Sequence, residues 1–278
     1  MSLTTEWTRV IDLLQFPFMQ RALLGGMLTG LMGGLLGSIT ILRQLSFFSN
    51  ALGHSALLGI SLGLLLGVNP SWTVLPFAVF FAGVVIYLLE RTQLWTDALL
   101  NILHSAFLAI AIILLSVIET YKGGINNILF GDVLAVQPSD LLLGLVLFSV
   151  CVVFIALTLR TQMLITLHEP LAIARGIDVT THRTVFIVLL ALVVGVSIKA
   201  IGVMLVSAFI VIPACAARLV SRNFTLYVGL STLFGAGTAL IGILLSAAFD
   251  LPSGPSIVVT QVAVFGLAAL MPSSVKAI

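Results

Sequence analysis

Charge is what this 278-residue chain has least of: Lys, Arg, Asp and Glu together make up 8% of it, against 60% hydrophobic residues. That scarcity excludes a water-soluble globular fold, which would lack the polar side chains needed to cover its surface. No stretch is polar and long enough for a soluble catalytic domain, and no Ser/Gly/Pro-rich linker divides the chain. Cysteine is nearly absent. Cys151 and Cys215 lie in separate apolar segments, with neither the spacing nor the setting of a disulfide or a thiolate metal site. A net charge of +2 carries no signature of nucleic-acid binding. Catalytic motifs are missing too. None of the three lysines follows a glycine, which excludes a Gly-x-x-x-x-Gly-Lys-Ser/Thr phosphate loop. There is no His-Glu-x-x-His and no aspartate-rich pair for diphosphate and Mg²⁺, and the Gly-x-Ser-x-Gly match at Gly59–Gly63 lies within an apolar helical block instead of a strand-to-helix elbow. An enzyme acting within the membrane would need at least one of these.

What the chain has instead is apolar blocks: Leu23–Leu42, Trp72–Leu89, Ala98–Ile118, Leu141–Leu159, Thr184–Ser197, Val203–Leu219, Thr225–Phe249 and Ile257–Met271, with Leu52–Val68 as a shorter ninth. About twenty residues cross a bilayer core as a helix, with each backbone group satisfied inside its own segment. The expectation is an all-α polytopic protein of the bacterial inner (plasma) membrane. It has eight or nine transmembrane helices, and residues 1–278 form a single membrane domain whose first helix runs from about 17 to 42. Arg9 and Asp12 precede a first block that runs past twenty residues with no small-residue cleavage site, which argues against a signal peptide. If Thr184–Ser197 and Val203–Leu219 form one broken element, nine crossings become eight.

Charge placement orients the chain. Arg43, Arg91, Arg160, Arg175, Arg183, Arg218, Arg222 and Lys276 fall on one side of nine crossings, and Arg9, Arg21, Lys122 and Lys199 on the other. The richer side is cytoplasmic, so the N-terminus lies outside and the C-terminus inside. Four regions lie outside the spans: Gln44–Gly53, the external Glu119–Asp140, the long cytoplasmic loop Thr161–His182, and the tight external turn Asp250–Ser256.

Gly26, Gly30 and Gly34 recur every fourth residue, with Gly33 and Gly37 alongside, and Gly59, Gly63 and Gly67 follow in the next segment. Such stripes let two helix backbones approach closely in lipid. Asn50 and His54 are four apart and share a helical face with Ser61, away from the second glycine stripe. Asp97, Asn101 and His104 lie at i, i+4 and i+7, again on one face. A titratable group at membrane depth faces a cavity or a partner. Two readings of these stripes stand: metal ligands with orienting neighbours, or buried hydrogen bonds joining helices. Within the cytoplasmic loop, His168-Glu169-Pro170-Leu171-Ala172-Ile173-Ala174-Arg175-Gly176 reads as a short helix with Pro170 in its first turn and Gly176 as its stop. Either it lies on the lipid surface, or Glu169, Pro170, Leu171, Ala172, Arg175 and Gly176 dock a soluble partner.

Several segments in this order and spacing carry a family resemblance. They are Leu42–Gly59, the run Leu129–Val136, Lys199–Val206, Ile212–Arg218 and Phe249–Ser256. From about Leu23 to Met271 the chain resembles the membrane permeases of ABC importers for divalent metal cations, and most closely the bacterial high-affinity zinc uptake permeases. The resemblance implies a type II importer fold and a homodimer paired with two cytoplasmic ATPase subunits. It also implies an external metal-binding protein, periplasmic or lipid-anchored, as the source of cargo. It makes the helix at Glu169–Gly176 the segment that couples to the ATPase, and His54 the histidine associated with metal passage. Asn50 stands where the family usually carries Asp, and Gly53 where it usually carries Ser or Ala. A neutral amide is a poorer ligand than a carboxylate, so Asp97 or Asp132 is a candidate for the missing charge. The expected cargo is Zn²⁺, with Mn²⁺ or Fe²⁺ as alternatives, and no permanently bound cofactor. An ion-coupled secondary carrier is the alternative outside the family.

Overall fold

A computed structural model describes residues 15–92, 94–117, 136–203 and 205–271. Its described residues form ten helices: α1 (Pro17–Leu42), α2 (Ser46–Leu65), α3 (Pro70–Arg91), α4 (Thr96–Val117), α5 (Pro138–Leu167), α6 (Glu169–Ala174), α7 (Val179–Ile201), α8 (Val206–Val220), α9 (Phe224–Phe249) and α10 (Ser253–Leu270). Eight of these are long and apolar enough to cross a membrane, and α8 is a shorter apolar helix. The chain is therefore a multi-pass membrane protein, and the predicted first helix coincides with α1.

Local chemistry sets the helix ends. Pro17 opens α1, where its missing N–H costs nothing. A Gln137–Asp140 capping box opens α5, with the Gln137 N–H donating to Asp140 Oδ2 at 2.9 Å. The Asn223 side chain caps α9 by accepting from the Leu226 N–H at 2.8 Å. Trp72, in the first turn of α3, and Trp95, past its C-terminal end, are both exposed, at the positions where aromatic belts meet the lipid headgroups. Asp250 closes α9 in the left-handed conformation, and the Ser246 hydroxyl donates to the Leu251 carbonyl at 2.6 Å, so Asp250–Ser256 opens with the tight turn expected of it.

Lipid is as apolar as leucine, so hydrophobicity cannot choose which helices pair; close backbone fit can. The first glycine stripe does this. A Cβ on Gly30 would collide with the Gly235 carbonyl of α9, and one on Gly34 with the Ser231 carbonyl. A Cβ on Gly33 would lie 2.7 Å from the Phe209 carbonyl of α8, and one on Gly37 would strike the Ile210 carbonyl. The Ser231 hydroxyl seals the seam by donating to the Gly34 carbonyl at 2.5 Å. Helix α1 is thus the central post, with α8, α9 and α5 packed around it. A second layer joins α2 to α3 and α4, and α7 links it back to α1.

The second stripe behaves differently. Gly59 accommodates a side chain, since a Cβ there would lie 2.7 Å from Phe77 Cβ of α3. Gly67 is no part of a stripe: it lies past the end of α2 with φ +67 and nothing within 4 Å, closing the turn to α3. The expected loop Thr161–His182 also shrinks. Helix α5 continues to Leu167 because Gln162 and Ile165 are buried against the bundle, leaving 30 residues, about 45 Å, of unbroken helix. The expected segments Thr184–Ser197 and Val203–Leu219 are two separate helices, α7 and α8, broken after Ile201 at Gly202 (φ 88). At 15 residues α8 is about 22 Å long, short of a bilayer core.

Gly34→Ala is expected to lower stability by about 1–3 kcal/mol, since the added methyl meets backbone that cannot rotate away. Gly229→Ala, with nothing within 4 Å, should not lower it and can raise it by up to about 1 kcal/mol through helix propensity. Thermal unfolding of both variants in detergent checks the difference.

Candidate functional site

Helix α2 starts after a turn at Arg43–Leu45 in which Gln44 holds φ +56, a conformation that non-glycine residues rarely take. Two turns into α2, Gly53 lets the α7–α8 junction press against the helix. A Cβ there would lie 2.9 Å from the Val203 carbonyl and 3.3 Å from Val206 Cγ1. Gly53 is small for a steric reason: backbone occupies the space of a side chain. The next residue is His54, whose height in the bundle is set by that contact.

The half-buried His54 ring lies edge-on to His104 of α4, with centroids 5.2 Å apart and planes at 74°. Phe47, two turns earlier on α2, also meets the His104 ring edge-on at 6.1 Å. His104 Nδ1 is buried with no hydrogen-bond partner. Leaving such an atom unpaired costs about 1–3 kcal/mol, which a bound cation would offset. The two stripes that the sequence places on separate helices therefore meet at their histidines. Among the described residues no group of three or more His, Cys, Asp or Glu side chains surrounds a common point, so one chain supplies an imidazole pair and no complete cage.

The remaining candidates stand further off. Asp97 is exposed in the first turn of α4, seven residues and about 10 Å along the axis from His104, so it does not orient that ring. Asn101 is exposed one turn before His104. Asn50 borders a groove of about 340 Å³ between α2 and α8, with Ser46, Phe47, Ser207 and Val211 among its walls. Ser61 is fully buried and its hydroxyl donates to the Leu58 carbonyl at 2.9 Å, so it is no free ligand. Asp132 lies outside the described residues.

At the far end of α5 a single residue, His168, separates it from the six-residue α6. Pro170 lies in the first turn of α6 and Gly176 follows it with φ +75, as the sequence predicts. Glu169 receives both of its hydrogen bonds from Arg183 Nη2 of α7, at 2.8 and 2.9 Å. Ala172 departs from expectation. It is completely buried against Ile165 and Val179, and that small cluster fastens α6 to the ends of α5 and α7. The outward side chains of α6 are Leu171 and Ile173, 42% and 59% exposed, beside exposed Glu169, Pro170, Arg175 and Gly176. Asp178 opens α7 by accepting from Thr181 Oγ1 (2.6 Å) and the Thr181 N–H (3.1 Å), and these bonds hold its carboxyl below the ordinary carboxylate range.

Spacing on each helix reveals the two histidines, but Phe47, Gly53 and Arg43 escape a reading of polar stripes. All three lie within the Leu42–Gly59 segment, and Arg43 also enters the charge count that orients the chain.

A model of the ABC 3 transport family matches residues 15–272. The high-affinity zinc uptake system membrane protein ZnuB of Haemophilus influenzae is 31% identical over 255 residues, covering 91% of this chain and 97% of that one. The manganese transport system membrane protein MntC of Listeria monocytogenes is 30% identical over 258 residues, covering 93% and 92%. Among solved structures, PsaBC from Streptococcus pneumoniae in complex with Fab superposes with a TM-score of 0.83 at 29% identity, covering 95% of each chain. An inward-facing conformation of a putative metal-chelate type ABC transporter has a TM-score of 0.72 at 19% identity and shares the fold.

If the imidazole pair holds a cation, purified protein should bind one Co²⁺ per pair with a visible absorption band. His54→Ala and His104→Ala should each weaken that binding tenfold or more, as read by titration at pH 7.5.

Proposed function

Since the chain belongs to the ABC 3 transport family, we propose that it is the membrane-spanning subunit of an ABC importer whose cargo is zinc. Membership makes it a metal-transport permease of the bacterial plasma membrane; the choice of zinc is the finer step. The observation that carries it is the His54–His104 pair. Imidazole suits Zn²⁺, while Mn²⁺ prefers carboxylates and water, and the carboxylate that the resemblance expects at position 50 is an amide here. An incomplete ligand set fits a conduit, because a transported ion must leave as well as arrive.

The whole chain acts as one permease domain, with α6 on the cytoplasmic side and the N-terminus outside. Arg43 and Arg183, assigned to one side by charge counting, line the same cavity as Glu169. Two copies assemble with Asn50 and His54 of each near a shared axis. The exposed Asn101 and the groove at Asn50 then face protein and water rather than lipid, where polar groups are costly. Two cytoplasmic ATPase subunits dock on Leu171 and Ile173 and hydrolyse the ATP. An external metal-binding protein delivers the ion at the opposite face, where the Asp250–Ser256 turn lies; most of the expected external segment Glu119–Asp140 falls outside the described residues. Manganese is the second reading, supported by the similarity to MntC.

Uptake by cells lacking the native transporter tests this reading. Zinc accumulation should be restored by the wild-type chain with its ATPase and binding protein, and His54→Ala should cut it at least tenfold without loss of membrane insertion. Asn50→Asp should shift competition toward Mn²⁺ by severalfold; identical zinc, manganese and iron profiles would remove Asn50 from the path. A photo-cross-linker at Ile173 should capture an ATPase subunit, and capture of lipid alone would return α6 to the membrane surface.

A further inference from the structure

Arg43 ends α1 and precedes the site helix α2, and its side chain leaves both. Its Nη2 donates to Gln162 Oε1 at 2.6 Å and its Nε to Thr166 Oγ1 at 3.3 Å, both within the last six residues of α5. Its guanidinium carbon lies 5.1 Å from the centre of the Phe186 ring on α7. Gln162 is itself fully buried. One side chain therefore joins three elements: the α1–α2 turn, the end of α5 and the start of α7. Burial and the nearby Arg183 pull the guanidinium down to about 10, which leaves it charged at neutral pH.

The surroundings give this bridge a mechanical meaning. Helix α6 is fixed to α5 through His168 and through the Ile165–Ala172–Val179 cluster, so a push on α6 reaches the Gln162–Thr166 stretch as one body. A cavity of about 460 Å³ opens between the α1–α2 turn and this block, bounded by Gln44, Leu45, Thr96, Thr166, Glu169 and Arg183. The turn holds a rarely adopted φ at Gln44 and leads directly into α2, with His54 eleven residues after Arg43. Arg43 Nη1 is buried with no acceptor. The bridge is thus under-satisfied beside a space into which the two sides can move.

We propose that Arg43 is the positioning residue that carries movement of the coupling segment α6 to the site helix α2, through its fork to Gln162 and Thr166. This rests on the reading of the chain as an ATP-driven permease. Lysine keeps the charge but not the planar fork, so it is a poor substitute.

The test is metal uptake and ATP hydrolysis measured in parallel on the assembled permease–ATPase complex in proteoliposomes, with Zn²⁺ and Mn²⁺ supplied in turn. Arg43→Gln and Gln162→Leu should hydrolyse ATP within about twofold of wild type while moving at least tenfold less metal per ATP, with Arg43→Lys in between. A ratio unchanged from wild type in assembled Gln162→Leu overturns the proposal, as does a proportional fall in both activities. If Arg43→Gln does not assemble, Gln162→Leu decides; failure of both to assemble makes the bridge a structural staple and also overturns the proposal. Wild-type uptake that does not depend on ATP would instead remove the importer reading itself, an outcome distinct from any of these.

Discussion

The backbone-to-backbone contact of α1 with α8 and α9 is the constraint from which the rest of the molecule is built. Carbonyls of Gly235, Ser231, Phe209 and Ile210 occupy the volume of the missing side chains at Gly30, Gly34, Gly33 and Gly37. In hydrocarbon no solvent drives helices together, so this fit selects partners that hydrophobicity leaves undecided. With α1 held on that side, its C-terminal end and the turn at Arg43 have a defined place, and α2 starts from there. The same device recurs at Gly53, where the Val203 carbonyl replaces a side chain and sets the level of the next residue, His54.

The site that results is sparse. Two imidazoles approach each other from α2 and α4, one carrying a buried nitrogen without a partner, with Phe47 against the ring of His104. Nearby carboxylates are few by composition, and Asp97 stands at the mouth of its helix. A tight cage would hold a borderline cation too long for transport. A sparse pair of ligands suits capture followed by release, and imidazole is the basis on which zinc is proposed over manganese.

Chemistry at the other end is of a different kind. Glu169, Arg183, Arg43 and Thr166 concentrate polar and charged groups around one of the described cavities, with buried Gln162 bonded to Arg43 behind them. Packed helices shift between discrete arrangements, and a planar guanidinium with two acceptors on α5 and one unpaired N–H group suits the proposed joint between two such arrangements. Burying Ala172 has a related consequence. It makes α6 an extension of α5 and α7 instead of a loose surface helix, and leaves Leu171 and Ile173 as its exposed large apolar side chains.

Much of this was legible before any coordinates. The scarcity of charge and the length of the apolar blocks determine an all-helical membrane protein, because lipid permits few other folds. Four-residue spacing put Asn50 with His54, and glycine spacing marked α1 as a close-packing helix. Pro170 and Gly176 bounded α6. What spacing along one helix cannot express is which face meets which neighbour. Only the tertiary structure brought His54 to His104, separated Asn50 into the groove against α8, turned Ala172 inward and aimed Arg43 at Gln162. Those choices follow from side-chain volume and backbone fit between segments far apart in the chain, and no local pattern records them.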